Sequence, residues 1–186
     1  MGLWIVVIVI VLIAIYLVMI YNRLVSLRQV TGQAWSDVSV QMKQRHDLVP
    51  NLVETVKGYA AHERGTLEAV TQARNAAVAA SSPQAQAQAE NMLTGALRQL
   101  FALSEAYPDL KASQNFQQLQ SDLSDLENKI AASRRFFNNA VQEYNSSIQQ
   151  FPAVLVAGSL GFTPKTFFDV DESERAAVNV APQVKF

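Results

Sequence analysis

The sequence predicts an all-α protein: an N-terminal transmembrane helix continuing into a long-helix antiparallel four-helix bundle, with an irregular or extended C-terminal tail. Three observations predict it. Nineteen residues from Leu3 to Tyr21 carry no charged side chain. From Leu27 to Ser147, apolar residues recur at steps of three and four, the signature of helices that bury one face. Breakers are few and fall at Pro50, Ser81-Ser82-Pro83 and Tyr107-Pro108. The expected division is a span over 1–21, a bundle over 22–150 and a tail over 151–186.

At ~1.5 Å rise per residue, about twenty residues cross the ~30 Å hydrocarbon core of a bilayer. A helix that is apolar on every face has no polar side for water, and lipid is its natural solvent. The chain starts Met-Gly-Leu-Trp with no Lys or Arg, and no small-x-small site follows the run, both unlike a cleaved secretory signal. The run reads as a retained anchor. Arg23 and Arg28 lie just past its exit, which favours an N-terminus outside and a cytoplasmic bundle.

The first helix continues from the span, with Leu27, Val30 or Thr31, Ala34 or Trp35, Val38, Met42 and Arg45 on one stripe. Pro50 lacks an N–H and clashes with the preceding turn, so a break is expected near 47–51; a kink in one continuous helix is the alternative. A second helix, about 51–80, uses Val53, Val56, Ala60, Glu63, Leu67 and Val70. Ser81-Ser82-Pro83 is a stop and restart, with proline suited to a first helical turn. The third helix, about 84–106, carries Ala89, Met92 or Leu93, Ala96, Leu100 and Leu103.

The fourth helix has the clearest stripe: Phe116, Leu119, Leu123, Leu126, Ile130, Ser133, Phe137, Ala140, Tyr144 and Ser147. Long helices with one apolar face need partner helices in water. Four with short connections fold most simply as an up-down bundle, or coiled-coil-like packing, that returns the chain after Gln150 to the bilayer surface. The tail is aromatic and apolar, with Phe151, Phe162, Phe167 and Phe168. Val178, Val180 and Phe186 fall in a stretch with period-two alternation, which predicts a short strand over 177–186 that must pair with something. Such a tail either seals the end of its own bundle or docks on a neighbouring subunit or on lipid.

Composition excludes several function classes. A net charge of −1 without long charged runs gives no footprint for nucleic acid. The absence of cysteine removes disulfides, thiolate metal sites and cysteine nucleophiles. The two histidines, His46 and His62, stand in no HExxH or similar spacing, and no Ser/His/Asp set or glycine-rich phosphate loop is present. No enzymatic activity and no cofactor or metal are expected.

Several segments match a known pattern. They are Tyr21-Asn22-x-Leu24-Val25, Ala34-Trp35-Ser36, and Arg45-x-Asp47-Leu48-Val49-Pro50-Asn51-Leu52-Val53 with Lys57-Gly58-Tyr59 and His62-Glu63. Further on come Arg134-Arg135-x-Phe137-Asn138-x-x-Val141-x-x-Tyr144-Asn145, Phe151-Pro152 and Gly161-Phe162. Together they resemble the LemA family over nearly the whole chain; members often carry tyrosine where this chain has Phe137. The resemblance implies a membrane anchor and a cytoplasm-facing antiparallel bundle at the inner membrane of a bacterium. It also implies no established enzymatic activity, and relatives associated with building or shaping membranes.

A polar set remains on the bundle seams. Arg45 and Glu63 take positions otherwise apolar, and a buried charge is costly unless paired. Asp47 or Glu54 is the expected partner of Arg45, and Arg74 or Lys57 that of Glu63. Such pairs set helix register or form a polar docking site. Asn138 and Asn145, seven residues apart, read as register devices with a role between subunits. Phe151, Phe162, Phe167, Phe168, Val178, Val180 and Phe186 are the candidates for contact with lipid or another copy. The expected function is a membrane scaffold that forms homo-oligomers. The alternative is an adaptor or sensor presenting its bundle to another membrane protein, such as a protease or transporter.

Overall fold

A computed structural model of the chain describes residues 2–168. Every regular element among these is a helix: α1 (Gly2–Tyr59), α2 (Arg64–Ala79), α3 (Pro83–Ser104), α4 (Pro108–Ala112), α5 (Gln114–Gln149) and α6 (Val154–Ala157). The strand expected over 177–186 lies outside the described residues. Among these residues α1 is the one helix long and apolar enough to cross a membrane, and none of its apolar window is buried against protein. The described chain divides into two compact units. One joins 2–38 with 133–167; the other holds 39–132 and Phe168.

Pro50 does not end a helix. It sits inside α1, and the turn to α2 comes at residues 60–63. The reason lies in the carbonyl that proline leaves without a partner. Residue 50 would donate to the carbonyl of His46, four positions earlier. Arg74 of α2 supplies the missing donor, with its Nε 2.9 Å from His46 O. A prolonged α1 is therefore tied to α2 where its own ladder is interrupted. Arg74→Ala is expected to destabilise the protein by about 1–3 kcal/mol by orphaning that oxygen. In a Pro50→Ala background, residue 50 recovers its N–H and the Arg74→Ala loss should shrink. Denaturation of all four variants measures the coupling; simple additivity would contradict the account.

The second unit is built on a core from every helix it contains. Val49, Leu52 and Val56 of α1 meet Leu67, Val70 and Ala77 of α2 and Leu93, Leu97 and Leu100 of α3, with Leu110, Phe116 and Leu123 closing the cluster. The restart at Ser82 forms as expected: its hydroxyl accepts from the Ala85 N–H at 3.2 Å and Pro83 takes the first helical position. In α5 the expected stripe is inside, with Phe116, Leu123, Leu126, Ile130, Phe137, Ala140 and Tyr144 all buried. In α3 the expected Ala89, Leu93 and Leu100 are buried and Leu97 joins them, while Met92, the alternative to Leu93, points to solvent.

The first unit holds a separate core of Leu24, Tyr144, Ile148, Ala153, Ala157 and Phe162, with Ile20, Val25 and Leu27 packed against it. Phe162 reaches this core through a tight reversal after α6. Its N–H donates to Ala157 O at 3.0 Å, and the Gly161 N–H to Gly158 O at 3.2 Å. Gly161 has φ +76°, the left-handed conformation that this Schellman-type closure requires. Ala157 and Phe162 share the core, which is the apolar contact such a motif brings together.

Candidate functional site

The second unit carries a buried ionic network at Arg45. The stripe of α1 that buries Val38, Met42 and Val49 also turns Arg45 inward, leaving it 1% exposed. Its guanidinium pairs with Glu90 of α3 and Glu127 of α5 and donates to Thr94 Oγ1 at 3.0 Å. His46 completes the set, with Nε2 2.6 Å from Glu90 Oε1. Burial pushes the Glu90 carboxyl upward, but the His46 hydrogen bond and the Arg45 charge outweigh it and hold the group below the ordinary range. Arg45 Nε finds no acceptor among the described residues. Glu127 is more open, its side chain 38% exposed. The network ties one helix to two others and leaves the carboxylate of Glu90 fully engaged.

The first unit carries a clasp on the tail. The Asn145 side-chain amide grips the backbone of Lys165 at two points: Nδ2 donates to its carbonyl and Oδ1 accepts from its N–H, each at 2.8 Å. Tyr144 donates its hydroxyl to Thr163 O at 3.0 Å. The Lys165 ammonium donates to Thr31 Oγ1 and lies 5.7 Å from the centre of the Tyr144 ring. Burial, reinforced by the nearby Arg28 charge, lowers the Lys165 ammonium below its ordinary value. Arg28 lies over the Phe162 ring at 5.1 Å, and Tyr21 meets that ring edge-on at 5.7 Å.

The sequence model of the LemA family matches residues 34–186.

The chain belongs to the LemA family.

It is 30% identical to "Protein LemA" of Metamycoplasma hominis over 164 residues, covering 86% of this chain and 74% of that protein. It is 26% identical to "Magnetosome protein MamQ" of Magnetospirillum gryphiswaldense over 178 residues, 82% of this chain and 65% of that protein. "Magnetosome protein MamQ 2" of Paramagnetospirillum magneticum is 25% identical over the same coverage. This LemA-family chain thus spans just under two thirds of the MamQ proteins' length.

In this LemA-family chain the partners of the seam charges differ from those expected. Arg45 pairs with Glu90 and Glu127, while Asp47 is exposed and bonded to Lys43 at 2.6 Å. Glu63 is half-buried, accepting from the Tyr107 hydroxyl at 2.9 Å. The structure assigns Lys57 to Glu54 and Arg74 to the His46 carbonyl. Sequence spacing offers nearby partners along one helix, whereas the network is assembled from residues 45 and 82 positions away. Asn145 holds the tail of its own chain, and Asn138 is half-buried on the same helix. Phe162 and Phe168 are buried, whereas Phe151 and Phe167 are exposed. Val178, Val180 and Phe186 lie outside the described residues. Among those residues, no three or more His, Cys, Asp or Glu side chains are grouped as metal ligands.

Proposed function

We propose that this LemA-family chain is a membrane-anchored, non-enzymatic scaffold whose copies associate side by side at the inner membrane of a bacterium. In this reading its N-terminus is outside and its helices form a cytoplasmic antiparallel four-helix bundle. The observation that carries the proposal is α1, in which an apolar, fully lipid-compatible run continues without a break into the helix that bears Arg45. The Arg45 network joining α1, α3 and α5, with the Tyr107–Glu63 bond near the α1–α2 turn, supports the bundle. The names of the MamQ relatives attach to the magnetosome and not to a reaction, which supports a structural role. Anchoring raises the effective concentration of copies and strengthens weak lateral contacts. Exposed Val78, Met92 and Phe136 supply apolar side chains for them.

Cross-linking in cells, followed by mass measurement of the protein extracted with its lipid, tests this. Self cross-links and a multimeric mass are expected; a monomer at every protein-to-lipid ratio would overturn it. The adaptor reading draws on one feature, a groove of about 740 Å³ between α1 and α2 lined by Val53, Lys57, Arg64, Leu67 and Thr71. A single foreign cross-linked band that Lys57→Glu abolishes, without self cross-links, would favour it.

A further inference from the structure

The first unit has two faces around α6, and they differ in character. Ala153, Ala157 and Phe162 face inward and pack on Leu24, with Ile20, Val25 and Leu27 beside them. Phe151, Val154, Leu155 and Leu160 face outward, at 80, 50, 71 and 44% exposure. Large apolar side chains grouped on a surface mark a contact site.

The inner contacts fix the height of that surface. The charge-free run of α1 ends at Tyr21 and the first charge is Arg23. Each polar layer of a bilayer adds roughly 5–8 Å to its hydrocarbon core, which at ~1.5 Å per residue spans about 22–27 of α1. The segment held against Ile20 to Leu27 therefore lies in the headgroup layer whenever α1 spans the bilayer. Val18, Met19 and Tyr21 of α1 likewise carry exposed apolar side chains.

We propose that the segment around α6, through Phe151, Val154, Leu155 and Leu160, inserts into the headgroup–acyl boundary of the same bilayer that α1 crosses. It is a second, shallow membrane contact, resting on the reading of α1 as a span. Interfacial segments of this kind bury their apolar face ~5–10 Å deep, and exposed Arg23 stands where the polar layer begins. The Schellman-type turn at Gly161 and the Asn145 clasp hold the segment from its far end, so insertion requires no rearrangement of the core.

The chain has no cysteine of its own, so a single label reports one site. Phe151→Cys, Leu155→Cys, Ile10→Cys and Gln33→Cys would each carry an environment-sensitive fluorophore, in full-length protein in phosphatidylcholine/phosphatidylglycerol vesicles. Ile10 lies mid-span, and Gln33 is exposed about 18 Å beyond Tyr21 along α1. Labels at 151 and 155 should be quenched severalfold more by a nitroxide near the acyl-chain carbonyl end than by an aqueous quencher. Label 10 should respond to a deep nitroxide, and label 33 to the aqueous quencher alone. Aqueous quenching at 151 and 155 equal to that at 33, with label 10 in lipid, overturns the proposal. Protection of 151 and 155 from both quenchers, with cross-linking between them in neighbouring copies, also overturns it, in favour of a protein interface. An aqueous label 10 marks failure of the span itself.

Discussion

Glu90→Ala is expected to destabilise the protein by about 3–5 kcal/mol, the cost of leaving a buried charge without its partner. Arg45 and Glu90 are 1% and 2% exposed, so neither water nor a rotamer change can replace the lost ion pair. Glu127 cannot take over, because it already engages the other guanidinium nitrogen and its own side chain is partly hydrated. Replacing both members, Arg45→Met with Glu90→Leu, should cost much less than the sum of the single changes. Chemical denaturation of the full chain in detergent, followed by circular dichroism, reads all three. A double-variant loss equal to the sum of the two single losses would refute the pairing.

The same pair gives a pH signature. The Glu90 carboxyl is held below its ordinary value of 4.5, so its contribution is complete above that pH. It is lost as pH falls through the lower folded value. Stability should therefore drop on acidification below about pH 4.5, and Glu90→Gln should flatten that part of the profile while lowering the plateau at neutral pH.

Phe162→Ala is expected to cost about 3–5 kcal/mol at the tail, the range for truncating a buried aromatic residue. The ring is 3% exposed, packed with Leu24 and Tyr144, and contacted by Tyr21 and Arg28. The loss should be local: residues 151–168 gain hydrogen exchange and protease cleavage, while α2 and α3 keep their protection. Gly161→Val should act in the same direction by forcing a branched residue into φ +76°, at a cost of about 1–2 kcal/mol. Uniform loss of protection across the chain in Phe162→Ala would show that the tail is not an independent latch.

What the sequence made legible was periodic. A stripe such as Phe116 to Tyr144 needs only one helix to be recognised, and Ser82-Pro83 needs only one turn. What stayed hidden needed a second element. Glu90 lies in an alanine- and glutamine-rich stretch where nothing local marks it as a partner of Arg45. Pro50 reads as a break because the rule assumes an orphaned carbonyl, and the donor that satisfies it is in another helix. Asn145 reads as a register residue because its ligand is backbone, which no side-chain pattern announces. The buried Phe162 is signalled by the preceding glycine, once that glycine is understood as the closing residue of a helical turn.

The Arg74 bond to the His46 carbonyl has a consequence for how the chain is made. Synthesis runs from the N-terminus, and Arg74 follows Pro50 by 24 residues (74 − 50). At roughly 5–20 residues per second, the nascent α1 waits about one to five seconds for the donor that completes it. During that interval Leu3 to Tyr21 has already been translated, while the helix beyond it carries an open rung. The apolar segment is thus complete before the rest of the same helix can finish forming. Swapping a local rung for a distant one makes the completion of a single helix wait on a later stretch of the chain.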